Sequence, residues 1–171
     1  MNLSNHIDVS CSLCGSKEYR VWTFDKDHFD FQPRKVKCKK CSLVYANPLA
    51  TFDKLEEYYS NTYPGDEKSF HSLIEENNKL IEDHKEVFRK LNKNQPPGKF
   101  LDIGCSTGYT IDAANQMGWQ GYGVELSKQY CDYAIDVAGL KNIFRGDLFK
   151  ADFPDNFFDY IYLWHTIEHV T

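Results

Sequence analysis

The stretch Lys99-Phe100-Leu101-Asp102-Ile103-Gly104-Cys105-Ser106-Thr107-Gly108 decides how the rest of the chain is read. Lys99 to Gly104 has the composition of a buried strand, and an amphipathic stretch runs on from Gly108 to about Met117. Between them lies a turn flanked by two glycines, whose missing Cβ atoms let backbone approach a ligand closely. A strand, a glycine turn and a helix form a ligand-binding junction of α/β proteins.

The same alternation continues outward from this stretch. Gln120-Gly121-Tyr122-Gly123-Val124 is a second strand closed by Glu125, and a helix is expected from Ser127 to Ala138, stopped by Gly139. Asn142-Ile143-Phe144-Arg145 is a third strand, followed by Gly146-Asp147, and Phe158 to Trp164 is a fourth. Strands alternating with helices predict a parallel sheet whose ligands lie outside the carboxyl ends of the strands. The acids fall at those ends. Glu125 stands 23 residues after Asp102, where a carboxylate can accept both hydroxyls of a ribose, and Asp147 could accept from an adenine amino group. Acid, glycine turn, acid and acid describe a pocket for an adenosine bearing no phosphate. The dinucleotide fingerprint G-x-G-x-x-G is absent, so a cationic ligand without pyrophosphate suits the pocket better than NAD.

On these motifs, residues 98–171 resemble the first half of a class I S-adenosylmethionine-dependent methyltransferase. LDIGCSTG is similar to its first motif, GVE to the acidic end of the second strand, GDL to the third-strand motif, and FDYIYLWHTIEHV to the fourth strand with its exit. Ser106 departs from the pattern, since many members carry glycine there. The resemblance implies that Asp102, Gly104, Cys105, Ser106, Thr107 and Gly108 embrace the methionine part of S-adenosylmethionine. It further implies that Glu125 holds the ribose beside Leu126, and that Asp147 and Leu148 hold the base. The exit of the fourth strand would line the acceptor side, where His165 suits a base role. The string His165-Thr166-Ile167-Glu168-His169 also matches the zinc-protease pattern H-x-x-E-H, but it abuts a strand and no third ligand is evident.

Nearer the N-terminus, Cys11-Ser12-Leu13-Cys14 and Cys38-Lys39-Lys40-Cys41 form two CxxC pairs separated by 23 residues. Two such turns brought together by a hairpin complete a tetrahedron around Zn²⁺ and leave no open position, so the site is structural. Tyr19 to Phe24 and Arg34 to Lys37 read as the hairpin strands, while Gly15 and Ser42 follow the two turns. Lys35, Lys37, Lys39 and Lys40 offset the charge of a four-thiolate centre, and a phosphate-binding patch is their alternative role. Iron suits the same ligands, and disulfides would require an oxidising compartment. Cys105 and Cys131 stand alone and read as small core residues.

Between these regions, Thr51 is expected to cap a short helix. Phe70, Leu73, Ile74, Leu80, Ile81, Val87, Phe88 and Leu91 place an apolar stripe on a long helix from Ser69 to about Leu91. Asn77 and His84 interrupt that stripe, and His84 reads as a partly exposed interfacial histidine. The expected organisation is a zinc ribbon over 1–48, a helical bridge and linker over 49–97, and a partial methyltransferase domain over 98–171. This layout resembles the zinc-ribbon methyltransferases that include nucleotide-sugar C-methyltransferases. That likeness implies proton abstraction by Glu168 and His169, with Tyr59 or Tyr63 as helper.

The chain has 171 residues, 42% apolar and 15% aromatic, enough for a sizeable core, and its net charge is −5. That charge disfavours general nucleic-acid affinity, although residues 1–48 carry net +3 while 49–97 and 98–171 carry −3 and −5. No run approaches the roughly 20 apolar residues of a membrane span, and the N-terminus has no secretory pattern, so a soluble cytoplasmic protein is expected. The expected activity is methyl transfer to a small-molecule acceptor such as a nucleotide sugar. The alternatives are an rRNA methyltransferase contacting RNA through its ribbon, and a non-catalytic zinc-ribbon module with an adenosyl-binding half-domain. The resemblance implies about seven strands in a complete sheet, of which four are identifiable. A fragment with an exposed fourth-strand edge, open to homodimer pairing, is therefore expected.

Overall fold

A computed structural model describes residues 6–24, 34–61 and 67–167. The chain forms two compact units, one ending at Tyr58 and the other beginning at Tyr59. In the first, β1 (His6–Ile7) pairs antiparallel with β5 (Leu49–Ala50), and β2 (Tyr19–Phe24), β3 (Arg34–Cys38) and β4 (Val44–Asn47) form an antiparallel sheet in that order. The β2–β3 register shifts between Val21 and Thr23, a bulge at Trp22. Val36, Cys11 and Cys38 are its buried centre, which is small. Asn47, fully buried, accepts from the Val9 amide at 2.8 Å.

Helix α1 (Phe52–Asn61) begins as expected, with the Leu55 amide donating to the Thr51 carbonyl at 3.1 Å. Helix α2 (Glu67–Leu91) starts two residues before the expected Ser69 and lies wholly in the second unit. The segment expected to be a bridge is thus divided, its long helix packing on α3 (Tyr109–Gln116). Phe88 of α2 meets Phe100 at 4.9 Å between ring centroids and Trp119 at 6.1 Å, in a cluster that includes Ile81, Ala113 and Ala114. Burial of each such ring stabilises the unit by roughly 2–3 kcal/mol. Trp119 Nε1 donates to Asn92 Oδ1 at 2.7 Å, so the indole's polar atom is satisfied inside the cluster.

Strands β6 (Lys99–Ile103), β7 (Gln120–Glu125), β8 (Ile143–Arg145) and β9 (Tyr160–Tyr162) make a parallel sheet in the order β8-β7-β6-β9. That order is 3-2-1-4 among these strands. Two elements differ from expectation. The fourth strand spans three residues and not seven, because Phe157 and Phe158 turn into an aromatic cluster with Tyr122 and Phe153. His165 then takes a left-handed φ of 51° and ends the extended backbone. The helix after β7 is α-helical only over α4 (Lys128–Asp132), capped by Ser127, and continues as a π-helical turn over Tyr133–Val137. No described helix is long and apolar enough to cross a membrane.

Candidate functional site

Two clusters of chemistry-bearing residues stand out, one in each unit. In the first unit the Sγ atoms of Cys11, Cys14, Cys38 and Cys41 all lie within 4.8 Å of one another, with Cys11–Cys41 at 3.4 Å and Cys14–Cys38 at 3.6 Å. The two turns share one geometry. Gly15 N donates to Cys11 O and Ser42 N to Cys38 O, and both Gly15 and Ser42 have positive φ. Zn–S bonds of about 2.3 Å put tetrahedral sulfurs about 3.8 Å apart, inside the range of separations here, so this donor set fits zinc. Amide hydrogen bonds from Cys41 and then Lys40 lower the Cys38 thiol to about 6 against the opposing effect of burial, while burial and the sulfurs of Cys11, Cys14 and Cys38 raise Cys41. Of the lysines expected to offset thiolate charge, Lys37 lies over the exposed ring of Trp22 at 4.8 Å, beside Arg20 at 5.8 Å.

In the second unit the expected cofactor residues gather at the carboxyl ends of β6 and β7. Asp102, on β6, is 3% exposed, and its Oδ1 has no hydrogen-bond partner. Burial pushes its carboxyl up to about 7; a hydrogen bond from the Thr110 side chain opposes that shift and the Glu125 charge adds to it. Glu125 is also buried. Its Oε2 accepts from Ser106 N at 2.9 Å and its Oε1 from Ser127 N at 2.8 Å, tying the end of β7 to the glycine turn. Burial raises its pKa while amides of Ser127, Ser106 and Leu126 oppose the shift.

Gly104 and Gly108 have φ of 78° and 83°, and the space a Cβ would take is filled by Thr166 and by Leu140, respectively. Backbone conformation and internal packing therefore each require glycine at these two positions. Ser106, where glycine is common in related motifs, holds a φ of 51° while Glu125 grips its amide. Cys105 is buried with its thiol pushed well up by burial, which makes it a packing residue. Thr107 is fully buried and donates to Asn77 Oδ1 at 2.8 Å. The Leu126 carbonyl accepts from Ser60 Oγ at 3.3 Å. Asp147 caps the 3₁₀ turn Leu148–Lys150 by accepting from Phe149 N at 3.2 Å, so one of its oxygens serves the backbone.

At the exit of β9, His165 is exposed with its ring 5.1 Å from Trp164, and Thr166 Oγ1 donates to Ile103 O at 2.9 Å. Glu168 and His169 lie outside the described residues, as does Tyr63. The residues missed by sequence reasoning are on α2. His84 is buried and not partly exposed: its Nδ1 donates to Leu80 O at 2.8 Å, and its ring faces Tyr109, Tyr162 and Trp164. The only sequence signal for it, as for Asn77, was an interruption of the apolar stripe.

Residues 73–171, more than half of the chain, match a family described as a methyltransferase domain. The chain belongs to that methyltransferase family. The match begins inside α2, in agreement with the packing of that helix into the second unit. A demethylmenaquinone methyltransferase of Geobacillus stearothermophilus is 32% identical over 94 residues, covering 50% of this chain and 40% of that protein. The chain therefore spans well under half the length of this curated relative. Among solved structures, a SAM-dependent methyltransferase from Aquifex aeolicus is similar at 25% identity and a TM-score of 0.37, covering 47% of each chain. S-adenosylmethionine is the cofactor this membership supports, and the site offers what it needs. The buried Asp102 oxygen without a partner fits a cationic or hydrogen-bond-donating group such as the ligand's ammonium would be.

Proposed function

We propose that this methyltransferase-family chain binds S-adenosylmethionine across the ends of β6, β7 and β8, and that the protein it represents methylates a small-molecule acceptor, a nucleotide sugar being the class suggested by its layout. The observation carrying this reading is the buried pair Asp102 and Glu125, one with an oxygen left unpaired and the other clamped on the glycine turn. Asp102 would take the ammonium of the methionine part, Glu125 the ribose hydroxyls through its remaining lone pairs, and the Asp147–Leu148 turn the base. When bound, S-adenosylmethionine supplies an electrophilic methyl group on a sulfonium. The protein's work is then to align an acceptor atom in line with that carbon and to remove its proton. His165 borders the exit of β9 and is our candidate wall or base; Glu168 and His169 follow in sequence and are our candidates for proton abstraction. The four cysteines hold a structural zinc ion, and the protein works in the cytoplasm.

Calorimetric titration of the 171-residue chain with S-adenosylhomocysteine, with NADH as control, tests the cofactor reading. Micromolar binding of S-adenosylhomocysteine alone is the expected result. Binding of NADH alone, or of neither ligand by this chain and by a version extended with further strands, sinks it.

A further inference from the structure

Asn77 sits in the middle of α2, facing inward where its neighbours Ile81 and Phe88 are apolar. Asparagine is a poor helix former, and a buried amide costs stability unless it is hydrogen-bonded. Its retained partner is Thr107, whose hydroxyl donates to Asn77 Oδ1 at 2.8 Å with both side chains buried. Thr107 lies between Ser106 and Gly108, at φ of 51° and 83°, so it is the centre of a turn that runs through the left-handed region on both sides. Left-handed backbone is strained for a non-glycine residue and persists only where surrounding contacts impose it. Gly108 N closes the turn on Cys105 O at 2.9 Å, and two side-chain contacts hold it from outside. Glu125 grips the Ser106 amide from β7, and Asn77 grips Thr107 from α2. The first comes from the sheet carrying the cofactor acids; the second comes from a helix that precedes the whole sheet in sequence.

We propose that Asn77 is a positioning residue for the cofactor. By fixing the Thr107 side chain, it holds the amides of Ser106, Thr107 and Gly108 in the arrangement that receives the methionine part of S-adenosylmethionine. An apolar pair at 77 and 107 would pack as well but would leave the turn free to relax, since packing is less directional than a hydrogen bond. This inference rests on the cofactor reading above.

The test uses Asn77→Ala, Thr107→Val, the double variant, Thr107→Ser, and Ile81→Val as a packing control on the same helix. Hydrogen exchange reads the turn without ligand, and titration with S-adenosylhomocysteine reads the consequence. Amides 106–108 should exchange about tenfold faster in Asn77→Ala and Thr107→Val while residues 84–91 keep their protection. Affinity should fall about tenfold in each, and the double variant should be no weaker than either single one, because both remove the same bond. Thr107→Ser, which keeps the hydroxyl, should restore both readouts, and Ile81→Val should lower the melting temperature with affinity unchanged. Unchanged exchange overturns the brace. Faster exchange with unchanged affinity overturns its role in cofactor binding, and a wild-type chain that binds no S-adenosylhomocysteine overturns the cofactor reading together with that role.

Discussion

The two units solve the problem of holding a functional geometry in opposite ways. The ribbon brings its four cysteines within 4.8 Å of one another with a buried centre of only a few side chains. Its information is local: two five-residue turns, each closed by one amide-to-carbonyl bond and a left-handed residue. The parallel-sheet unit builds its site from segments far apart in sequence, with Asn77, Asp102, Thr107 and Glu125 converging over an aromatic core. A small fold with little core can be held together by a bound metal, whereas a larger one depends on packing, and its polar site can then be strained.

The largest effect expected from this contrast is on the ribbon. Removing metal with a chelator, or Cys38→Ser, should unfold the first unit, since structural zinc contributes about 10 kcal/mol or more. Limited proteolysis should then cut before Tyr58 while the region after Tyr59 stays protected; a ribbon that resists cutting without metal breaks the comparison. Phe88→Ala comes next, at about 3–5 kcal/mol in the second unit, because its ring contacts both Phe100 and Trp119. Thermal melting should show this loss with zinc content unchanged, and loss of zinc along with the core would show that the two units do not stand separately.

The smallest effect sharpens the account of the site. Burial holds Asp102 near 7 against an ordinary value of 3.8, so the folded chain keeps a proton that the unfolded chain has released between those values. Stability of the ligand-free protein should therefore fall as pH rises from about 4 to 7. Asp102→Asn should flatten that slope, leaving the part that the raised Glu125 contributes, and at pH 8 it should be more stable than wild type. Melting curves at pH 5 and pH 8 check this. Parallel profiles for the two proteins would mean that Asp102 is not the titrating group.

Much of the architecture was legible in the chain itself. The CxxC pairs carry their spacing, Gly15 and Ser42 carry the turn chemistry, and apolar runs closed by Asp102, Glu125 and Asp147 mark strand ends. Strand lengths were less legible. Phe158 reads as a strand residue, yet aromatic packing on Tyr122 and Phe153 draws it away. The glycines were legible as necessary, and the structure adds that Thr166 and Leu140 occupy the space their missing Cβ atoms leave.

By itself, then, the sequence determined what depends on neighbours in the chain: the cysteine turns, the strand and helix periods, and the acids that close successive strands. Only the tertiary structure decided which polar side chains turn inward and what they meet. Asn77 and His84 look like faults in an apolar stripe, because helical periodicity records the face a residue occupies and not its partner on a distant segment. Asn77 meets Thr107 thirty residues later, and Asp102 keeps an oxygen unpaired, only because the sheet and α2 close around the same turn.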